Sequence, residues 1–296
     1  MTALKVGVNL PSFGVDPVAG VAEHARRAEA AGLESLWVGD HLIPVGRPFL
    51  DSTLVLATAA AVTERIRVGF GVMVVALRQP AWTAKQVASL QHLSGGRVLL
   101  GVGSGGPVHG DAAWRAVGVP YAERGRRTDA VLDVLPGLIR GEPTEVNGER
   151  VTLSPGADVP PILIGGGLGT LRRTVLYGDE WYCALSGPDA IRAGVKRMRE
   201  VADELGRPVP KLTAGASVGL GDVPAAEVDA QVRALTGYGM SEDEARAGLI
   251  VGSPRQAAER FAELADAGAH RVIGMPFPTD RLGQTDLLAE TASLLA

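Results

Sequence analysis

The stretch SLWVGDHLIP, residues 35–44, passes from apolar residues into an acid, an imidazole and a proline. A carboxylate beside an imidazole is an acid–base combination. The carboxylate stabilises the protonated ring, and histidine titrates near neutral pH. Asp40 and His41 are therefore the first candidates for chemistry. The plainer alternative is an aspartate that caps and a histidine that packs. His24 and His92 fall in predicted helices and His270 just before the last predicted strand, positions that suit surface or packing residues. His109 follows a glycine-rich strand end and is the second candidate. No H-E-x-x-H, G-x-S-x-G or metal-ligand spacing occurs, so no metal is expected. The single cysteine, Cys183, cannot form an intrachain disulfide and reads as a small core residue, which suits a cytoplasmic protein.

Three glycine-rich segments add to this. GVGSGG, residues 101–106, matches G-x-G-x-x-G formally, but Pro107 and a polar stretch follow where a helix should open. It reads as a strand end stripped of side chains, where a flat ligand can approach the backbone. In ILIGGGLGT, Gly165, Gly166, Gly167 and Gly169 join a strand to a helix beginning near Leu168, with Arg172 and Arg173 one turn further on. Exposed N–H groups at such a start favour a phosphate; the alternative is a tight connection. In GFGVMVV, residues 69–75, the glycines mark either a bulge or room for a large neighbour.

These residues need a frame, and the rest of the chain supplies one. Short apolar runs alternate with longer amphipathic stretches. Eight runs are strand-like: KVGVNLPS, SLWVGDH, RVGFGVMVVAL, RVLLGVGSG, PPILIGG, EWYCALS, KLTAGASVGL and RVIGMPF. They are apolar throughout, as strands covered on both faces must be. Helices between them imply parallel strands. The expected fold is α/β: one (β/α)8 TIM barrel spanning 1–296, with insertions after strands 4 and 7. The first insertion, Gly106 to Val159, should hold a helix from Tyr121 to Arg140 and a hairpin at Asn147-Gly148. The second, Gly221 to Gly252, looks helical. Active sites of such barrels form at the C-terminal strand ends, which is where Asp40 and His41 fall.

Composition excludes several classes. A net charge of −4 spread without blocks argues against nucleic-acid binding. The longest apolar runs are too short to span a membrane, and MTALKVGVNLPSFG lacks the segments of a signal peptide.

In order along the chain, AEAAGLESLWVGDHL, GFGVMVVALRQPAWTAKQVASLQHLSGGRVLLGVGSGG, RGRRTDAVLDVL and PPILIGGG resemble the luciferase-like monooxygenase superfamily. Within it, they resemble most the oxidoreductases that use the deazaflavin coenzyme F420. The resemblance implies a barrel, often dimeric, with the cofactor at its C-terminal mouth. It implies that Asp40 and His41 lie near the deazaflavin ring and that Gly71 and Val72 form a cis peptide bulge against it. It further implies that Gly103, Ser104 and Gly105 flank the ring, and that Gly165, Gly166, Gly167, Leu168 and Gly169 hold the cofactor phosphate. Where the family's sugar-phosphate dehydrogenases carry an acidic proton donor, this chain has Gly106, and His109 is the nearest replacement. The expected activity is hydride transfer to or from a small organic substrate, with His41 as proton donor or charge stabiliser. The alternatives are an FMN-dependent monooxygenase on the same barrel and a non-catalytic flavin- or deazaflavin-binding protein. Trp37, Trp82, Trp114 and Trp181 are wall or core residues on this reading. A homodimer is the expected assembly.

Overall fold

The computed structural model describes residues 3–11, 19–44, 48–106 and 110–295. The strands are β1 (Lys5–Asn9), β2 (Ser35–Val38), β3 (Arg67–Val74), β4 (Val98–Gly103), β5 (Thr144–Val146), β6 (Glu149–Val151), β7 (Ile162–Gly165), β8 (Glu180–Ala184), β9 (Lys211–Leu220), β10 (Leu249–Gly252) and β11 (Arg271–Pro276). The α-helices are α1 (Ala19–Ala30), α2 (Ser52–Ala61), α3 (Pro80–Ser94), α4 (Ala112–Ala116), α5 (Arg124–Arg140), α6 (Leu171–Tyr177), α7 (Pro188–Leu205), α8 (Ala225–Gly237), α9 (Glu242–Gly248), α10 (Pro254–Asp266) and α11 (Arg281–Ser293).

Eight strands close into a parallel barrel in the order β1-β2-β3-β4-β7-β8-β9-β11, with β11 returning to β1. Local signals set many boundaries. Pro80 opens α3, where its fixed φ suits the first turn, and Gly95 closes it at φ 65°. Ser253 and Gln256 form a capping box at α10. Asn147 and Gly148 both have positive φ, 53° and 81°, as the type I′ turn between β5 and β6 requires.

Two segments differ from the sequence-based expectation. The helix expected from Tyr121 begins as a 3₁₀ turn, Tyr121–Glu123, before α5. The stretch from 221 to 252 is not wholly helical, because β10 follows α8 and α9 and pairs in parallel with Ser217–Leu220 of β9. The reason is length. On that side β8 covers β9 only as far as Gly215, leaving the outer half of β9 to be paired by β10.

Side chains of alternate strand residues point into the barrel. The middle of the lumen holds Trp37, Leu99, Leu163, Tyr182 and Ile273. Trp37 fits because its neighbours are glycines: a Cβ on Gly69 would come within 2.4 Å of its ring, and one on Gly7 within 2.9 Å of Nε1. Gly69 therefore serves the second of the two roles left open for the β3 glycines, room for a large neighbour. The Trp37 indole donates to Ser35 Oγ at 2.8 Å and stacks on Tyr182, ring centroids 6.2 Å apart.

The N-terminal end of the lumen is charged. Arg271 is 1% exposed, and its guanidinium donates to Glu180 at 2.6 Å, Thr213 Oγ1 at 3.0 Å and Glu34 at 3.0 and 3.1 Å. Burial alone would raise the Glu180 carboxyl, but hydrogen bonding with His270, the Arg271 charge and the Thr213 hydroxyl outweigh it and bring it from 4.5 to about 2. No described helix is long and apolar enough to cross a membrane.

Removing Arg271 would take the enclosed guanidinium from two carboxylates, leaving Glu34 with Lys5 at 3.8 Å and Glu180 with the His270 ring at 3.4 Å. Arg271→Met should lower stability at pH 7 by about 3–5 kcal/mol, the usual cost of breaking a buried pair. Because the folded pKa of Glu180 lies below its unfolded value, its pairing contributes fully above pH 4.5 and is lost as pH falls toward 2. The gap between wild type and variant should therefore narrow on acidification. Urea midpoints measured from pH 7 to pH 3 check this, and a pH-independent gap would contradict it.

Candidate active site

The C-terminal mouth of the barrel is built differently, from loops and bare backbone. β2 ends at Val38, so Asp40 and His41 lie just beyond the strand and escape its strict alternation. Asp40 is 9% exposed, and both its oxygens are engaged. Oδ1 accepts from Ser52 Oγ at 2.9 Å and from an Arg78 guanidinium nitrogen at 2.6 Å, and Oδ2 accepts from the Val74 N–H at 2.9 Å. One carboxylate thus ties the β2 loop to the start of α2, the end of β3 and Arg78 beyond the 3₁₀ turn that follows β3. Asp51 caps α2 beside it, accepting from Thr53 and Leu54 N–H.

His41 is half-buried, with its ring 4.7 Å from the Phe49 ring, centroid to centroid. It lines two adjoining hollows together with Asp40, Leu42 and Leu77. One, of about 230 Å³, is completed by Phe49, Asp51, Arg78 and Val117. The other, of about 80 Å³, is completed by Ile43, Val74, Gly105, Gly106, Gly110, Ala113 and Trp114. The walls are mainly apolar around a few convergent polar groups, the usual make-up of a small-molecule site.

The β3 bulge forms the next part of the mouth. Phe70 pairs with Leu100 but Met73 with Val102, so β3 carries one extra residue. The Gly71–Val72 peptide in this bulge is cis, as the resemblance implied. Val72 lies across glycines of two other strands. A Cβ on Gly101, Gly103 or Gly165 would come within 3.0, 2.5 or 2.8 Å of its methyl groups. Gly105 is required twice over: its φ is 71°, and a Cβ would stand 2.7 Å from the Trp114 ring. Ser104 is half-buried beside it, and the space at Gly106 is open.

At the end of β7 the glycine loop is pinned from below. Trp181 Nε1 donates to Gly166 O at 2.7 Å, and the Gly166 N–H donates to Tyr182 O at 3.2 Å. The Gly166 φ of 138° excludes ordinary side chains, and a Cβ there would meet Thr170 at 2.6 Å. Nothing lies within 4 Å of the Cβ positions of Gly167 and Gly169. Among the described residues, no protein acceptor takes the N–H groups of Gly167, Leu168 and Gly169. Arg173 is held by Asp129 and by Gly125 O at 3.0 Å, and Arg172 is exposed.

The structure therefore brings Asp40, His41, Gly105 and Gly106 to one cleft, and joins Gly103 and Gly165 to Gly71 and Val72 through the Val72 side chain. His109 lies outside the described residues. Of the tryptophans, Trp37 and Trp181 are core, Trp114 is a cleft wall, and Trp82 is 70% exposed. Sequence reasoning passed over Arg78, Phe49 and Leu77. Arg78 carried a signal: it is a lone cation immediately after the strand-like run RVGFGVMVVAL, in VALRQP.

The luciferase-like monooxygenase family matches residues 4–248. The F420-dependent glucose-6-phosphate dehydrogenase of Amycolatopsis mediterranei is 29% identical over 218 residues, covering 68% of this chain and 65% of that protein. The 4-hydroxyprotoasukamycin monooxygenase of Streptomyces nodosus subsp. asukaensis is 38% identical over 120 residues, covering 40% of this chain and 32% of that protein. In fold, the chain is similar to an F420-dependent secondary alcohol dehydrogenase in complex with an F420–acetone adduct, with a TM-score of 0.85, 18% identity and full coverage of both chains.

Asp40 makes contacts that reach α2 and both sides of the β3 end, so its loss should be felt locally and globally. Asp40→Ala should destabilise the protein by about 2–4 kcal/mol, since it leaves the half-buried Arg78 guanidinium only Asp51 at 3.8 Å and takes the acceptor from the Val74 N–H. The Val74 N–H should exchange faster than in wild type. Native-state hydrogen exchange checks this; unchanged protection at Val74 would show that Asp40 is not what holds the loop.

Proposed function

The chain belongs to the luciferase-like monooxygenase family, and on that premise we propose that it is a deazaflavin-dependent oxidoreductase. In this reading it moves a hydride between coenzyme F420 and a small organic substrate carrying a C=C, C=N or C=O bond. The observation that carries the reading is the bare backbone of the mouth. The Gly71–Val72 bulge, seated on Gly101, Gly103 and Gly165, adjoins the cleft that holds His41. Similarity to the F420-dependent dehydrogenase supports the choice of cofactor.

The residues present fit such a group. A flat ring needs a surface without tall side chains, and the small Val72 side chain laid over the glycines of β4 and β7 would provide one. A phosphate needs N–H donors with open space in front of them, and Gly167, Leu168 and Gly169 meet that need. When bound, the deazaflavin supplies hydride chemistry with poor reactivity toward oxygen. The chain's own part is to place the substrate and handle the proton. Gly71, Val72, Gly103, Ser104 and Gly105 would border the ring, and the 165–169 loop would hold the phosphate. His41 would carry the proton on an imidazole nitrogen facing the cleft. Asp40, with both oxygens committed to Ser52, Val74 and Arg78, acts by fixing the loop that presents His41. His109, which follows the glycine-rich strand end in sequence, is the second candidate donor. Gly106, where an acid would stand, argues against sugar phosphates as substrates. Exposed Leu54 on α2 and Trp82 on α3 are in keeping with a homodimer, to be read from light scattering.

Similarity to the monooxygenase keeps FMN as the second reading. Titration of the purified protein with each cofactor separates the two. F420 should bind and be turned over without oxygen uptake. FMN binding with NAD(P)H-driven oxygen consumption would reject the proposal, and F420 binding without turnover across enones, imines and alcohols would mark a carrier. His41→Ala should lower turnover by roughly 10²–10⁴-fold, the range for a lost general acid–base, with much less effect on cofactor affinity. Near-normal turnover would make His41 a packing residue and His109 the donor to test.

A further inference from the structure

Tyr182 sits in the lumen beneath the mouth, 6% exposed, with its ring stacked on Trp37. The side chains packed with it are Trp37, Leu99, Leu163, Ile273, Val72 and Met275. The phenol is thus a polar group set among apolar ones. Its hydroxyl has no hydrogen-bond partner among the described residues, yet it is not one of the fully enclosed unpaired atoms, which are Thr53 Oγ1 and Arg78 Nε, so it opens onto accessible space. A donor that protein groups leave open at the inner end of a cleft is available to water or to a ligand that displaces it.

The position of the hydroxyl says where that partner comes from. It lies 3.9 Å from where a Cβ on Gly71 would stand and 3.1 Å from where one on Gly215 would stand. Glycine at both places keeps side chains away from the phenol oxygen. Gly71 belongs to the bulge that faces the mouth, and Gly215 precedes Ser217, whose hydroxyl accepts from Gln231 of α8 at 3.0 Å. The oxygen therefore reaches upward between β3 and β9, toward the mouth and away from the charged layer around Arg271. Burial raises the phenol above its ordinary range, so it keeps its proton and can donate.

We infer that the Tyr182 hydroxyl is a ligand-directed donor, which hydrogen-bonds a polar ring edge of the planar heterocycle seated over the Gly71–Val72 bulge. The inference rests on the reading of the mouth as a deazaflavin or flavin site. It adds a floor contact from the centre of the barrel to the rim contacts of the loops.

The test is Tyr182→Phe, which keeps the ring that stacks on Trp37. Apo melting temperature and affinity for F420 and for FMN are measured on wild type and variant. A ligand-directed hydroxyl predicts an apo melting temperature that is not lowered, since the hydroxyl makes no hydrogen bond to the protein. It also predicts cofactor binding weakened by about 3- to 10-fold, the worth of one hydrogen bond. Equal affinity, or a lowered apo melting temperature, overturns the inference and marks the hydroxyl as unused or structural. Wild-type protein that binds neither cofactor overturns it together with the functional reading; wild type that binds, with a variant that binds equally well, removes this inference alone.

Discussion

The lumen of an eight-stranded barrel is just wide enough to be filled by side chains, and the way this lumen is filled governs everything above and below it. Two large aromatics, Trp37 and Tyr182, occupy the middle. They can meet there only because Gly7, Gly69 and Gly215 leave space on the opposing strands. A methyl group at Gly69 would need the Trp37 ring to move, and interiors packed to crystal-like density resist such shifts. The glycine-rich look of this chain is in large part a record of that volume problem.

Filling the centre with aromatics splits the barrel into two unlike ends. At the N-terminal end, Arg271 is enclosed by Glu34, Glu180 and Thr213 and lies 5.8 Å from the Trp37 ring. Desolvating these charges is costly, and the set persists because each has a charged or hydroxyl partner. At the C-terminal end β4 and β7 finish in Gly103 and Gly165, and a single side chain, Val72, spreads over these two and Gly101. The division matches the general logic of these barrels, in which one face serves stability and the other carries the chemistry.

Between the ends of β2 and β3, the work of the Asp40-His41 pair is divided. Asp40 points into the protein and binds Ser52 at the start of α2, Val74 at the end of β3 and Arg78 just after the turn that follows it. His41, one residue later, lines the cleft. Asp40 is thus an anchor for the loop that carries His41 into the cleft. Pre-organisation of this kind is how a loop can hold a group precisely enough for proton transfer.

Much of the architecture was legible in the amino-acid order because it rests on local chemistry. Apolar runs separated by amphipathic stretches define parallel strands and helices; Pro80, Gly95 and the Asn147-Gly148 turn mark boundaries through their own backbone preferences. Connectivity then places Asp40, Gly105 and Gly165 at one end of the barrel, since successive parallel strands all finish on the same side. What the order could not convey are contacts made across the closed ring. Arg78 reaches Asp40 across 38 residues, Arg271 reaches Glu34 across 237, and Val72 fits against glycines of β4 and β7. β10 joins β9 only because β8 stops short. A side chain's type states which partners it can accept, but closure of the barrel decides which partners come within a few ångströms. So Asp40 became an anchor and Tyr182 a lumen hydroxyl through tertiary structure alone.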